Sequence, residues 1–333
     1  MNPVLDAPER TPDPATGGRR ALCAQAVVLE APRFLDLRDL DLDAPGEADV
    51  VVDIEWSAIS SGTERLLWSG RMPPFPGLGY PLVPGYESVG RIRQAGSASG
   101  REVGQRVFVP GARCFGPVRG LFGGAASRLV VPGARTWAVP EALGEQAVLL
   151  ALAATAWHAL AAPHAVPPAL IVGHGVLGRL LARIAIVMGH APVVWERDAA
   201  RRQGASAYAV LDPEVDPRRD YPSIVDASGD AALLDALIAR LAPGGEIVLA
   251  GFYSEPLMFD FPPAFMREAR IRVAAEWKPD DLAAVIAHAA SGALSLDGLI
   301  THRSPAYAAP AAYRTAFSDA ACLKMVLDWS LAR

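Results

Sequence analysis

The most constraining stretch of this chain is Leu170-Ile171-Val172-Gly173-His174-Gly175-Val176-Leu177-Gly178. A short apolar run enters a Gly-x-Gly-x-x-Gly pattern, and a second apolar run, Val176 to Met188, leaves it at helical spacing. Three spaced glycines alone say little. Between a buried strand and a helix they specify a tight turn (Gly173), a close approach of backbone to a pyrophosphate (Gly175) and a close helix–strand contact (Gly178). The helix then turns the positive end of its dipole toward the phosphates. Val193-Val194-Trp195 reads as the next strand and ends at Glu196, eighteen residues past Gly178. A carboxylate there accepts from a ribose 2′-hydroxyl and repels a 2′-phosphate, so the pattern predicts NAD. The cofactor set is Gly173, His174, Gly175, Val176, Leu177, Gly178 and Glu196, with Ser228 and Gly251, which follow later strands, on the nicotinamide side. Arg197, Arg201 and Arg202 stand nearby and keep NADP open as the alternative.

The texture of the chain changes near Pro140. Before it, short period-two runs such as Leu35-Asp36-Leu37-Arg38 alternate with turn-rich segments, as in a β-rich unit. Cys23 to Leu29, Val50 to Ile54 and Arg106 to Val109 are strand candidates. After Pro140, apolar strands alternate with helices (Ala147 to Leu160, Val176 to Met188, Asp230 to Leu241, Asp280 to Ala290), which indicates a parallel sheet covered on both faces. The end of the chain reads as a helix, Ala311 to Ala320, and a strand near Leu323 to Leu327. A length of 333 residues fits two domains.

Several function classes drop out on composition. With 31 Lys plus Arg against 36 Asp plus Glu, and no basic run, nucleic-acid binding is not expected. Residues 147–178 hold no Asp, Glu, Lys or Arg. The helical part, 147–162, is shorter than the roughly 20 residues of a membrane span, so no transmembrane segment is expected. The first twenty residues carry four prolines and no apolar run, so they read as a disordered arm rather than a signal peptide. Three scattered cysteines suit a reducing compartment, and a cytoplasmic location is expected.

A β-rich first part, a dinucleotide-binding second part and a chain that returns at its end resemble the medium-chain alcohol dehydrogenase superfamily. The resemblance implies an α/β chain with a GroES-like β-rich catalytic domain (21–145 and 300–333) and a doubly wound Rossmann domain (146–299). Zinc-dependent relatives carry a Cys-x-Thr/Ser-Asp segment and a Gly-His-Glu triplet; here the matching runs are Ser61-Gly62-Thr63-Glu64 and Gly85-Tyr86-Glu87. A third ligand would stand at Ala151, four residues before Thr155. Only Cys114 occupies the 110–126 loop, where relatives carry four cysteines for a structural metal. No metal is therefore expected. Ser61 to Glu64, the run from Leu66 through Gly77, and Tyr80 to Gly90 closely resemble the bacteriochlorophyllide dehydrogenase branch. That branch implies NAD-dependent oxidation of the 3-(1-hydroxyethyl) group of a bacteriochlorophyllide to 3-acetyl, with the pigment as partner and a homodimer as the assembly to test. A zinc-independent quinone or enoyl reductase, and a non-catalytic pigment-binding relative, are the competing readings.

Without a Lewis acid, side chains must polarise the hydroxyl and take its proton. Thr63 matches a relay hydroxyl. Tyr86 stands where a zinc ligand would point, and its phenol needs a lowered pKa to serve as a base. Glu87 is the other candidate, as base or as a group orienting Tyr86. Structural alternatives are Thr63 capping the helix that follows, Tyr86 packing, and Glu87 in an internal hydrogen bond. Trp68, Arg71 and Phe75 form a proline-stiffened loop fitted to cover a macrocycle and pair with its carboxylate. His158, one turn after Thr155, is a further candidate for reaching the substrate.

Overall fold

The computed structural model of the protein describes residues 22–74, 76–205 and 207–331. The predicted arm at 1–20 and Phe75 lie outside the described residues.

Strand Leu170–Val172 is wholly apolar because it is the middle of a six-stranded sheet. Its neighbours are Val193–Trp195 on one side and Tyr221–Asp226 on the other, all parallel. Ala209–Leu211 extends one edge, and Leu241–Leu249 then Arg270–Val273 the other. In chain order the strands run 3-2-1-4-5-6, the doubly wound order expected. The order reverses beside the first strand, opening a crevice at its carboxyl end.

Helix Val176–Val187 covers one face through Val176, Leu180, Leu181, Ile184 and Ala185, a stripe at helical spacing. Each large apolar side chain so buried contributes roughly 1.5–3 kcal/mol. Helix Leu150–Leu160 packs beside it through buried alanines at 151, 153, 154, 156 and 159, whose small side chains let the helix axes approach. Together with the 3₁₀ segment Glu141–Leu149, it forms a 20-residue helical stretch of apolar average, longer than the sixteen read from the sequence although Glu141 and Glu145 lie in it. By length and composition that run could cross a membrane. In the fold it is kinked at Gly144 and 61% of its apolar window is buried in the core.

The first part builds two further sheets. One orders Phe34–Asp41, Cys23–Ala31, Leu82–Val83 and Arg119–Gly120. Phe34–Asp41 alternates between exposed and partly buried positions from Phe34 to Arg38, as the period-two run there requires, and then buries Leu40. The other centres on Asp49–Ile59, which pairs with Ser88–Ala95, Arg128–Pro132 and the late strand Met325–Asp328. His302–Pro305 adds at the edge. The last strands therefore return across the sequence to the first part. They bring helix Ala309–Ser318 with them, and it packs against Phe34–Asp41 and Met325–Asp328. All three cysteines are free.

Candidate active site

A cleft of about 2200 Å³ runs between the carboxyl edge of the parallel sheet and the first part of the chain. Its sheet side carries Gly173 to Gly178, Glu196, Ser228 and Gly251, so every residue expected to bind the cofactor lines one cavity. The glycines differ in what they do. Gly173 turns the chain at φ +97°, a left-handed angle that favours glycine. A Cβ on Gly178 would lie 1.8 Å from the Gly173 carbonyl oxygen, so helix and strand meet there. A Cβ on Gly175 would meet nothing within 4 Å: its small size leaves room in front of the helix N-terminus, the space a phosphate needs.

Glu196 is braced as well as exposed to the cleft. Its Oε2 accepts the His174 amide at 3.1 Å and its Oε1 the Asp198 amide at 3.0 Å. The His174 imidazole turns away from the open cleft. Nδ1 is 2.6 Å from the Arg201 carbonyl and Nε2 is 2.9 Å from the Tyr208 hydroxyl. Burial holds its pKa below the usual histidine value, so the ring is a neutral strut between the glycine loop and the segment after Glu196. Arg202 spends its guanidinium on the Glu196 and Arg197 carbonyls and on Asp212, at 2.9–3.0 Å.

On the opposite wall, Ser60, Thr63, Tyr86 and Lys324 converge. The Tyr86 hydroxyl is 2.6 Å from Ser60 Oγ, and Thr63 lines the same wall of the cleft. The phenol does not have the lowered pKa that a base would need. Burial first, and the Glu87 carboxylate second, push it upward, so it stands as a neutral hydroxyl. Glu87 is fully buried behind Tyr86 and does not line the cleft. Its two oxygens lie 3.0 and 2.7 Å from the Lys324 ammonium, which also donates to the Ile59 carbonyl at 3.3 Å. Burial pushes the Glu87 carboxyl up, and Lys324 pulls it back toward its ionised form. The geometry makes Glu87 the counter-ion of a cation in the cleft wall rather than a base in contact with substrate. Thr63 opens helix Thr63–Ser69 behind Gly62 and makes no side-chain cap.

The remaining candidates separate. Arg71 lines the cleft. Trp68 does not; its ring packs on Phe317 with centroids 5.6 Å apart. His158 also faces elsewhere. Helical rotation puts Leu152 and Thr155 on the cleft side and turns His158 to Asp281 on the neighbouring helix, 2.8 Å away. Lys324 and Ser60 are the residues sequence reading passed over. The signal for Lys324 was a lone charge inside the otherwise apolar run Leu323 to Leu327.

The alcohol dehydrogenase GroES-like domain matches residues 46–141. The 2-desacetyl-2-hydroxyethyl bacteriochlorophyllide A dehydrogenase of Cereibacter sphaeroides is 58% identical, over 91% of this chain and 98% of that protein. The chain belongs to that dehydrogenase family. The Rhodobacter capsulatus relative of the same name is 57% identical over 93% of this chain and 99% of its own length. Two solved dehydrogenases share the fold at TM-score 0.77 and 22% identity, each covering 92% of this chain and 99% of its own. One is from E. coli CFT073, complexed with NADH, and one from Sinorhizobium meliloti, bound to NADP.

Within this dehydrogenase family the zinc positions of the wider superfamily can be tested on donor chemistry. Here they carry a serine hydroxyl (Ser61), a phenol held protonated (Tyr86) and a methyl group (Ala151, whose carbonyl accepts from Thr155 at 3.0 Å). Zinc takes thiolate, imidazole or carboxylate, and the carboxylates beside these positions are occupied, Glu87 by Lys324 and Glu64 by the Ser60 amide and Tyr313. The residues present do not fit the metal.

Proposed function

We propose that the chain oxidises the 3-(1-hydroxyethyl) group of a bacteriochlorophyllide to 3-acetyl, using a nicotinamide dinucleotide and no metal. One observation carries this reading: the glycine-loop wall and the Ser60–Tyr86–Thr63 hydroxyl cluster face each other across a single cleft. Drug-sized ligands fill cavities of about 300–1,000 Å³. The 2200 Å³ here leaves room for a flat macrocycle beside a dinucleotide.

Converting a secondary alcohol to a ketone removes a hydride from carbon and a proton from oxygen, and the dinucleotide supplies the hydride acceptor. The chain's own residues handle the proton. The substrate hydroxyl bonds the Tyr86 oxygen and passes its proton there as the Tyr86 proton moves to Ser60, whose own proton leaves to bulk water through the open cleft. Each hydroxyl gives one proton and takes one, so the phenol never carries a lasting negative charge beside Glu87. Lys324 offsets that carboxylate, and Arg71 at the mouth pairs with the substrate's propionate.

Glu196 favours NAD over NADP by facing the ribose with a fixed carboxylate. Strand pairing supports a catalytic part at 21–145 with 300–333 and a nucleotide-binding part at 146–299. We also read a homodimer through the sheet edge Arg270–Val273, where Ile271 and Val273 stand exposed beside Phe261, Phe265 and Met266.

The test is Tyr86→Phe, which keeps the ring and removes the hydroxyl. Positioned acid–base groups contribute about 10²–10⁴-fold, so turnover should fall by that order while nucleotide affinity holds. A folded variant within about threefold of wild type would move the proton step away from Tyr86.

A further inference from the structure

Glu64 is fully buried, and nothing above gives it a part in the reaction. A buried carboxylate where an apolar side chain would pack is costly unless both oxygens are satisfied. Here both are. Oε1 accepts the Ser60 backbone N–H at 2.9 Å, and Oε2 accepts the Tyr313 hydroxyl at 2.6 Å. Tyr313 comes from helix Ala309–Ser318, 249 residues away, and is 1% exposed. Ser60, whose amide Glu64 holds, is the residue whose hydroxyl lies 2.6 Å from Tyr86. A run of short hydrogen bonds and one residue's backbone thus joins the C-terminal helix to the phenol.

We propose that Glu64 and Tyr313 are positioning residues for the hydroxyl relay: their bond fixes the Ser60 backbone and so holds the Ser60 hydroxyl on Tyr86. The inference rests on the role given to Tyr86 above. Glu64 also acts electrostatically. Tyr313 bonds it, and the charges of Glu87 and Lys324 act on it through the core. Burial pushes its carboxyl up to about 7, against the Tyr313 and Ser60 hydrogen bonds, which pull it down. When ionised, it joins Glu87 in keeping the phenol protonated.

The experiment uses the full chain, the bacteriochlorophyllide substrate and the nucleotide, with four variants checked for folding by thermal melt. Tyr313→Phe removes one oxygen and keeps the edge-on ring contact with Phe317. Turnover should fall about tenfold, the low end for a lost hydrogen bond to a charged group, with the KM for nucleotide within about twofold. In a Tyr86→Phe background the same change should cost no more than about twofold, since nothing is left to position. Glu64→Gln keeps the shape but presents an amide N–H where an oxygen accepts from Tyr313, so turnover should fall about fivefold with the KM for nucleotide within about twofold. A purely structural role produces neither the double-variant coupling nor that split between turnover and KM. Wild-type turnover in folded Tyr313→Phe, full additivity with Tyr86→Phe, or wild-type turnover in folded Glu64→Gln each overturns the proposal. If Tyr313→Phe does not fold, the Glu64→Gln turnover decides. Wild-type turnover in Tyr86→Phe alone overturns the reading of Tyr86 instead.

Discussion

Replacing Lys324 with methionine breaks the buried ion pair in the wall of the cleft. Lys324 is 2% exposed and Glu87 0%, and the ammonium spans both carboxylate oxygens at 2.7 and 3.0 Å. Methionine matches the length of the stem and removes the charge. Breaking one side of a buried pair costs about 3–5 kcal/mol, because the abandoned carboxylate is left desolvated. That is a large share of a typical 5–15 kcal/mol stability, and at about 2–4 °C per kcal/mol it lowers the midpoint by roughly 10 °C. The sign with pH follows from Glu87. Burial already raises its pKa, and losing Lys324 removes the main opposing effect. A folded-state pKa above the unfolded value makes stability fall as pH rises from the unfolded toward the folded pKa. The deficit should therefore be small near pH ~4 and larger near pH ~8. The assay is thermal unfolding at both pH values beside Asp220→Asn, a surface-pair control at 75% exposure that should change stability by less than about 0.5 kcal/mol. Adding Glu87→Leu to Lys324→Met should recover most of the loss. A Lys324→Met chain as stable as the surface control at pH ~8 would refute the argument.

Other expectations follow from the same geometry. Glu196→Ser should improve use of NADP relative to NAD; a wild type that already prefers NADP would contradict the role of this carboxylate. Gly175→Ala should keep the melting point and weaken nucleotide binding, since its Cβ enters open space, whereas Gly178→Ala should lower the melting point, its Cβ falling 1.8 Å from a carbonyl oxygen. Paired melts and nucleotide titrations separate the two. Protein purified without chelator should carry no stoichiometric zinc by elemental analysis; one zinc per chain, with activity lost to chelation, would reverse the donor-set argument.

Nucleotide-binding features were the most legible in the sequence, because they are local. A Gly-x-Gly-x-x-Gly run between apolar segments fixes strand, turn and helix within a few residues, and Glu196 follows at a set distance. Strands with weaker local patterns were missed. Arg270–Val273 alternates charged and apolar residues at an exposed edge, and Ser88–Ala95 mixes glycine and arginine. Only cross-strand pairing makes them strands. The hydroxyl and ion-pair cluster was half legible. Tyr86 and Thr63 could be placed by resemblance, but Lys324, Glu64 and Tyr313 acquire their roles from contacts spanning 237 and 249 residues. Periodicity placed His158 near the cleft, yet a rotation of one helical position gives it to Asp281 instead.

The most direct measurement mixes the purified chain anaerobically with 3-(1-hydroxyethyl) bacteriochlorophyllide and oxidised nicotinamide dinucleotide, following the nucleotide and macrocycle absorption bands together. The account predicts reduced nucleotide and 3-acetyl pigment appearing one for one, at the same rate, undiminished after exhaustive chelation. Pigment bound with neither band changing, or turnover that stops on chelation, would contradict it.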